Sequence, residues 1–318
     1  MTKDFISFSS FSRSDLQEIF SLTRRLKENP RHEFRPLANK TAALIFEKPS
    51  LRTHVSFEVG ICQLGGNSVF LSQQGIGVAT RESVRDIAEV LSQYNDLIVA
   101  RTMKHKTVED LGSYASIPVI NALTDLLHPC QILADAYTLI EQGLFSEKTK
   151  IVFIGDGNNV VNSWLELAEK IPFHFVLGCP EGYEPDAAIL ARARQAALST
   201  IEIIHDPLDA ARDADVLYTD VWTSMGQEEE KLARQKVFLN FQINENLLSV
   251  ASRNCVVMHC LPAHRGEEIT AEVLEGSRSV VIPQASNRLH VQKGIIAFLM
   301  GTKTGQPIET RLVEVTEA

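Results

Sequence analysis

No stretch of this sequence approaches the roughly 20 consecutive apolar residues that a membrane-spanning helix needs, so no bilayer span is expected. The opening segment, MTKDFISFSSFSRSD, carries an acid at once and lacks the apolar centre of a secretory signal. Cysteine is scarce: five in 318 residues, widely spaced and odd in number. That pattern argues against a disulfide framework and for reduced thiols in a cytoplasmic compartment. Basic charge is short as well, with 31 Lys and Arg against 40 Asp and Glu and a net charge of −9. Such a chain offers no bulk field for nucleic acid or an anionic membrane, and neither is expected as a partner. An anionic small molecule can bind only where cations gather locally. Internal repeats and low-complexity linkers are also missing.

What is present is an alternation. TAALIF, NSVFLS, DLIVAR and IPVINA read as buried strands in the first part of the chain. KIVFIGD, FHFVLGCP, IEIIHD, ADVLYTDVW and CVVMHCLP read as strands in the second. Helical spacing fills the gaps, beginning with a capped amphipathic segment, SFSRSDLQEIFSLTRRLKEN, and ending with RLHVQKGIIAFLMGT. The fold class is α/β: two domains, each a mainly parallel sheet with helices on both faces. Ligands of such sheets bind beyond the carboxyl ends of the strands, and the unusual polar clusters lie at those ends. An active site in a cleft between the two domains is therefore expected.

Each cluster has a chemical reading and a plainer one. In FEKPSLRTHVSFEVG, the helix start offers unpaired N–H groups and a positive dipole end. Ser50 and Thr53 add hydroxyls, and Arg52 a planar fork suited to phosphate oxygens. The plainer reading is a capping serine beside a solvated arginine. Arg101 closes DLIVAR. DLLHPCQ sets His128 and Gln131 around a helix start, an imidazole and an amide that could hold a carbonyl oxygen and an NH2 group. IGDGNN resembles a dinucleotide loop but lacks the third glycine, and the next strand lacks a terminal ribose-binding acid. Its asparagines, Asn158 and Asn159, read better as amide donors to a carboxylate. Asp220 ends ADVLYTD and could pair with an ammonium or cap a helix. His259, Cys260 and His264 lack a second ligand pair at zinc spacing, so no metal and no other cofactor is expected.

Together, SLRT, HPCQ, DVWTSMG and HCLP resemble the aspartate/ornithine carbamoyltransferase family, over about residues 3 to 305. DVWTSMG looks like that family's ornithine-binding loop. The resemblance implies transfer of a carbamoyl group from carbamoyl phosphate to the δ-amine of L-ornithine. It implies a carbamoyl phosphate-binding domain over 1–138, completed by a C-terminal helix over 289–318, and an ornithine-binding domain over 139–288. Ser50, Leu51 (by its amide), Arg52 and Thr53 would hold phosphate, with Arg101 bridging phosphate and carbonyl. His128 and Arg288 would take the carbonyl oxygen, Gln131 and the Leu261 backbone the NH2 group. Asn159, Asp220, Ser224 and Met225 would bind ornithine, and Cys260 would sit beside its side chain. The implied assembly is a homotrimer or a multiple of trimers. Two departures stand out. His54 replaces a second fixed cation in a motif that usually reads Ser-Thr-Arg-Thr-Arg, and Gly77 falls where a neighbouring subunit usually contributes a glutamine. The alternatives are a carbamoyltransferase for another amine, such as putrescine or an acylated ornithine, and a non-catalytic regulatory relative.

Overall fold

The structure, a computed structural model, describes residues 4–28, 34–72, 82–223 and 228–301. The chain divides into two compact units, one running to Tyr137 and resuming at Asn287, the other spanning Thr138–Ser286.

The first unit holds a four-stranded sheet built from β1 (Thr41–Phe46), β2 (Asn67–Ser72), β3 (Leu97–Arg101) and β4 (Val119–Leu123). The order is β2-β1-β3-β4 and every pairing is parallel. Leu97, Ile98, Val99 and Ala100 of β3 are all buried. Consecutive strand residues point to opposite faces, so both faces of the sheet are covered. β2, at the edge, keeps Val69 and Phe70 exposed. The first helix, Arg13–Glu28, opens on a reciprocal cap. The Asp15 amide donates to Ser12 Oγ at 3.2 Å while the Ser12 amide donates to the Asp15 carboxylate at 2.8 Å.

The last helix runs from Val281 to Leu299 and so starts well before the Arg288 read from the sequence pattern. Pro283 does not stop it because a first-turn residue has no intrahelical N–H bond to lose. From Asn287 the chain belongs to the first unit. Gly294 is required there: a Cβ would lie 2.2 Å from Thr23 Oγ1 of the first helix. Lys293, buried, donates to Gln63 Oε1 at 2.8 Å.

The second unit is a five-stranded parallel sheet of β5 (Lys150–Ile154), β6 (His174–Gly178), β7 (Thr200–Ile204), β8 (Val216–Thr219) and β9 (Val256–His259). Its order is β7-β6-β5-β8-β9. Val152, Ile154, Leu217 and Val257 pack with Trp222, Phe238 and Phe241 in its core. Strand order reverses between β1 and β3 in the first sheet and between β5 and β8 in the second. Those are the switch points where open parallel sheets leave a crevice for ligands.

Candidate active site

At the first switch point the loop after β1 is tied to the end of β3. The Glu47 amide donates to the Arg101 carbonyl at 2.9 Å, and the Met103 amide to the Glu47 carboxylate at 2.5 Å. The chain then enters the helix Leu51–Gln63 with Ser50 as its N-cap, in extended conformation. Ser50 makes no side-chain capping bond, so its hydroxyl is not committed to the helix as the plainer reading required. Arg52 is half-buried in the first turn. Thr53 is buried, and its Oγ1 accepts from Arg101 Nη1 at 3.3 Å and from Arg288 Nη2 at 3.0 Å.

Two guanidinium groups on one hydroxyl repel each other, and burial magnifies the repulsion. Neighbouring polar groups offset it. Arg288 Nη1 donates to Gln131 Oε1 at 2.5 Å, and Gln131 Nε2 donates to the buried Asp135 carboxylate at 2.8 Å. Asp135 was not singled out in the sequence, although its spacing four residues beyond Gln131 puts both on one helix face. His128 is buried, and burial followed by the Arg288 and Arg101 charges pushes its pKa well below the usual imidazole value. At neutral pH it is a neutral hydrogen-bonding group. The arrangement gathers cationic donors at a helix start in a chain of net negative charge, which suits an anion with a carbonyl attached.

His54 turns away from this cluster. Its ring stacks on Phe70 at 4.1 Å and its Nε2 lies 3.3 Å from Glu58. Gly77 lies outside the described residues, as do Ser224 and Met225.

At the second switch point, Asp220 follows β8 and caps no helix. Cys260, just past β9, donates its thiol to one Asp220 oxygen at 2.8 Å. Asn158 Nδ2 donates to the other at 3.1 Å. Asn158 also caps the helix Asn159–Ala168, its Oδ1 accepting from the Val160 and Val161 amides. Of the adjacent asparagines it is thus Asn158 whose side chain meets Asp220, while Asn159 is the first helical residue. Gly157, just before, permits the close approach: a Cβ there would meet the Glu184–Pro185 backbone at 2.4 Å.

The segment entering the DVWTSMG loop is held by Arg234, which the sequence pattern did not mark. Its Nε donates to the Trp222 carbonyl at 2.5 Å, and its guanidinium pairs with Asp156. Tyr183 and Phe238 lie under its cationic face at 5.0 and 5.3 Å. Burial pushes the Asp156 carboxyl up to about 6 against the opposing pull of Arg234. Asp220, His259 and Cys260 set ligand-type atoms within 4.8 Å of one another. Both His259 ring nitrogens are already engaged, Nδ1 by the Leu261 amide and Nε2 by Glu268, so the imidazole offers no lone pair to an ion.

Residues 3–141 match the carbamoyl-P binding domain of aspartate/ornithine carbamoyltransferases, and residues 147–299 the Asp/Orn binding domain. An ornithine carbamoyltransferase of Chlorobaculum tepidum is 56% identical over 94% of this chain and 90% of its own length. One of Syntrophus aciditrophicus is 52% identical over 94% of this chain and its full length, 100%. The solved ornithine carbamoyltransferase of Pyrococcus furiosus superposes with a TM-score of 0.90 at 44% identity, covering 94% of this chain and 97% of that one. Two switch-point clusters of matching chemistry, two domain matches and relatives aligned nearly end to end make this chain a member of the aspartate/ornithine carbamoyltransferase family.

Proposed function

We propose that the chain transfers the carbamoyl group of carbamoyl phosphate to the δ-amine of L-ornithine, giving L-citrulline and phosphate. The cluster of Thr53, Arg101, Gln131 and Arg288 at a helix start carries the reading. Ser50, the Leu51 amide, Arg52, Thr53 and Arg101 take the phosphate. Arg288 and neutral His128 donate to the carbonyl oxygen, and Gln131, anchored by Asp135, accepts from the NH2 group with the Leu261 carbonyl. On the second unit Asp220 pairs with the α-ammonium of ornithine, beside Asn159, Ser224 and Met225, and Cys260 lies along the side chain.

The δ-amine attacks only as the neutral base, and a free alkyl ammonium titrates near ~10.4, as in Lys. Attack on the carbamoyl carbon forms a tetrahedral oxyanion at the donors of Arg101, His128 and Arg288. Its collapse breaks the bond between the carbamoyl carbon and the phosphate oxygen, and the proton shed by the attacking nitrogen leaves on the phosphate. Donors placed in advance where charge develops are the main source of rate here. The test is citrulline formation from both substrates, with putrescine and N-acetylornithine as competing amines. Absence of citrulline overturns the reading, and preference for another amine reassigns the acceptor.

The homotrimer belongs to the same proposal. Leu51, Val55 and Val59 form an exposed stripe at helical spacing, 75%, 45% and 38% accessible, and Val69 and Phe70 on edge strand β2 add to the exposed apolar surface. A second copy of this chain is the occupant proposed for that surface, since apolar area of this kind marks association. The compartment proposed is the reducing cytoplasm. No helix among the described residues is long and apolar enough to cross a membrane.

A further inference from the structure

The turn that carries Cys260 and Leu261 rests on a pair of groups the reaction itself does not use. His259, the last residue of β9, and Glu268 have fully buried side chains, both 0% accessible. His259 Nε2 meets Glu268 Oε1 at 3.0 Å. The Leu261 amide donates to His259 Nδ1 at 2.8 Å. A nitrogen that accepts cannot carry the proton, so the hydrogen sits on Nε2 and is donated to Glu268. The two bonds thus fix one tautomer. Glu268 Oε1 also accepts from the His264 amide at 2.6 Å, which binds the far end of the same turn to the same carboxylate. Gln284 holds the His259 amide at 2.9 Å. Between these anchors Leu261 adopts φ +57°, a left-handed conformation that a leucine takes only when its surroundings enforce it. Its amide bond to the imidazole supports that conformation.

We propose that His259 and Glu268 are positioning residues for the acceptor side of the reaction: the imidazole, locked by the carboxylate, sets the Leu261 backbone and with it the aim of the Cys260 thiol at Asp220. The inference deepens the reading given above and rests on it for the identity of the acceptor. The positioning itself does not depend on turnover. Burial pushes the Glu268 carboxyl up, but the bonds it accepts from His259 and from the His264 amide bring it below its ordinary value. The carboxylate is therefore charged where it holds the ring.

Two substitutions separate positioning from plain packing. In His259→Asn, the amide oxygen stands where Nδ1 stood and can accept from the Leu261 amide two residues on, as in an Asx turn, but cannot reach Glu268. In His259→Gln, the amide nitrogen reaches Glu268 as Nε2 did, and nothing accepts from Leu261. The positioning role predicts that Gln lowers kcat/KM for ornithine by about tenfold, the worth of one misplaced hydrogen bond, with KM for carbamoyl phosphate unmoved. Asn recovers most of that loss. A purely structural role predicts the reverse order, because Asn strips the buried carboxylate of its imidazole partner, and that outcome overturns the proposal.

The second readout is alkylation of Cys260 by iodoacetamide without substrates, in a Cys62→Ser background that removes the exposed thiol. Cys130, Cys179 and Cys255 are buried, with thiols pushed to about 12, and do not compete. The Cys260 rate should rise in Gln, where the thiol leaves Asp220, and stay near the parent in Asn. Equal rates in the two variants also overturn the proposal. If either variant is too unstable to assay, Glu268→Gln, which keeps the acceptor oxygen and removes the charge, takes its place. It should raise the alkylation rate above that of the parent, and an unchanged rate contradicts the assignment. A parent enzyme that makes no citrulline would defeat the acceptor assignment while leaving the alkylation result to stand or fall alone.

Discussion

At the residue scale, the proposed chemistry can be tested one side chain at a time. Arg52 lies in the first turn of a helix whose N-cap hydroxyl is uncommitted, the geometry of an anion site. Arg52→Ala should lower kcat/KM by at least about 10², or ~2.7 kcal/mol, as loss of one oxyanion-hole donor does. Near-parental turnover in steady-state assays would remove it from the site. His128 is held neutral by burial and by Arg288 and Arg101. With its folded pKa depressed, it contributes no inflection to the kcat–pH profile near its ordinary ~6.5. A proton-dependent step at that pH that vanishes in His128→Gln would contradict this. In the proposed reaction Asp220 offers its carboxylate to an α-ammonium. Putrescine has neither α-substituent and leaves that carboxylate unmatched, so its kcat/KM should fall by about 10⁴ relative to ornithine. Comparable efficiencies in a substrate panel would make the acceptor a plain diamine.

At the scale of elements, two devices hold the site in shape. On the helix Pro129–Glu141, Asp135 is one turn beyond Gln131 and fixes its amide. Asp135→Ala frees that amide to rotate and removes the buried carboxylate behind it. The expected outcome is a KM for carbamoyl phosphate raised about tenfold or more, with KM for ornithine changed less. In the second unit Arg234 joins the Trp222 carbonyl to Asp156. Breaking a buried ion pair from one side is more costly than removing both charges, so Arg234→Ala should cost about 3 kcal/mol. Arg234→Ala with Asp156→Asn should recover part of it. Thermal unfolding of the two variants checks the order, and a double variant less stable than the single one would show that the pair is not the anchor.

At the scale of the molecule, acid stability and assembly follow from particular groups. Glu268 has a folded pKa below its ordinary value. Its stabilisation is therefore complete above that ordinary value and is lost as pH falls through the lower folded one. Glu268→Gln should be less stable than the parent at neutral pH and should lose less on acidification, as chemical unfolding at stepped pH would register. The exposed Leu51, Val55 and Val59 stripe predicts association. Replacing Val55 and Val59 with lysine should shift light scattering from trimer to monomer. A monomeric parent with full activity would discard the trimer.

The sequence by itself determined the elements. The apolar runs TAALIF and KIVFIGD are strands because burial on both faces of a parallel sheet demands continuous Val, Ile, Leu and Phe; the edge runs NSVFLS and IEIIHD are strands too, but stay partly exposed. It also put Thr53, Arg101, His128, Gln131, Asp220 and Cys260 at strand ends and helix starts, where polar residues after such runs are unusual. It misjudged the start of the last helix, which opens at Val281 rather than at Arg288. Tertiary structure alone decided which groups meet. Arg288 is 235 residues from Thr53 and 157 from Gln131, yet bonds to both. Arg234 is 78 residues from Asp156, and nothing in its local pattern marks it. Periodicity records which face of an element is buried, because burial repeats every two or 3.6 residues. It carries no record of a hydrogen bond between distant elements, which is fixed only when the sheets close and each buried polar group must find the partner the packing leaves it.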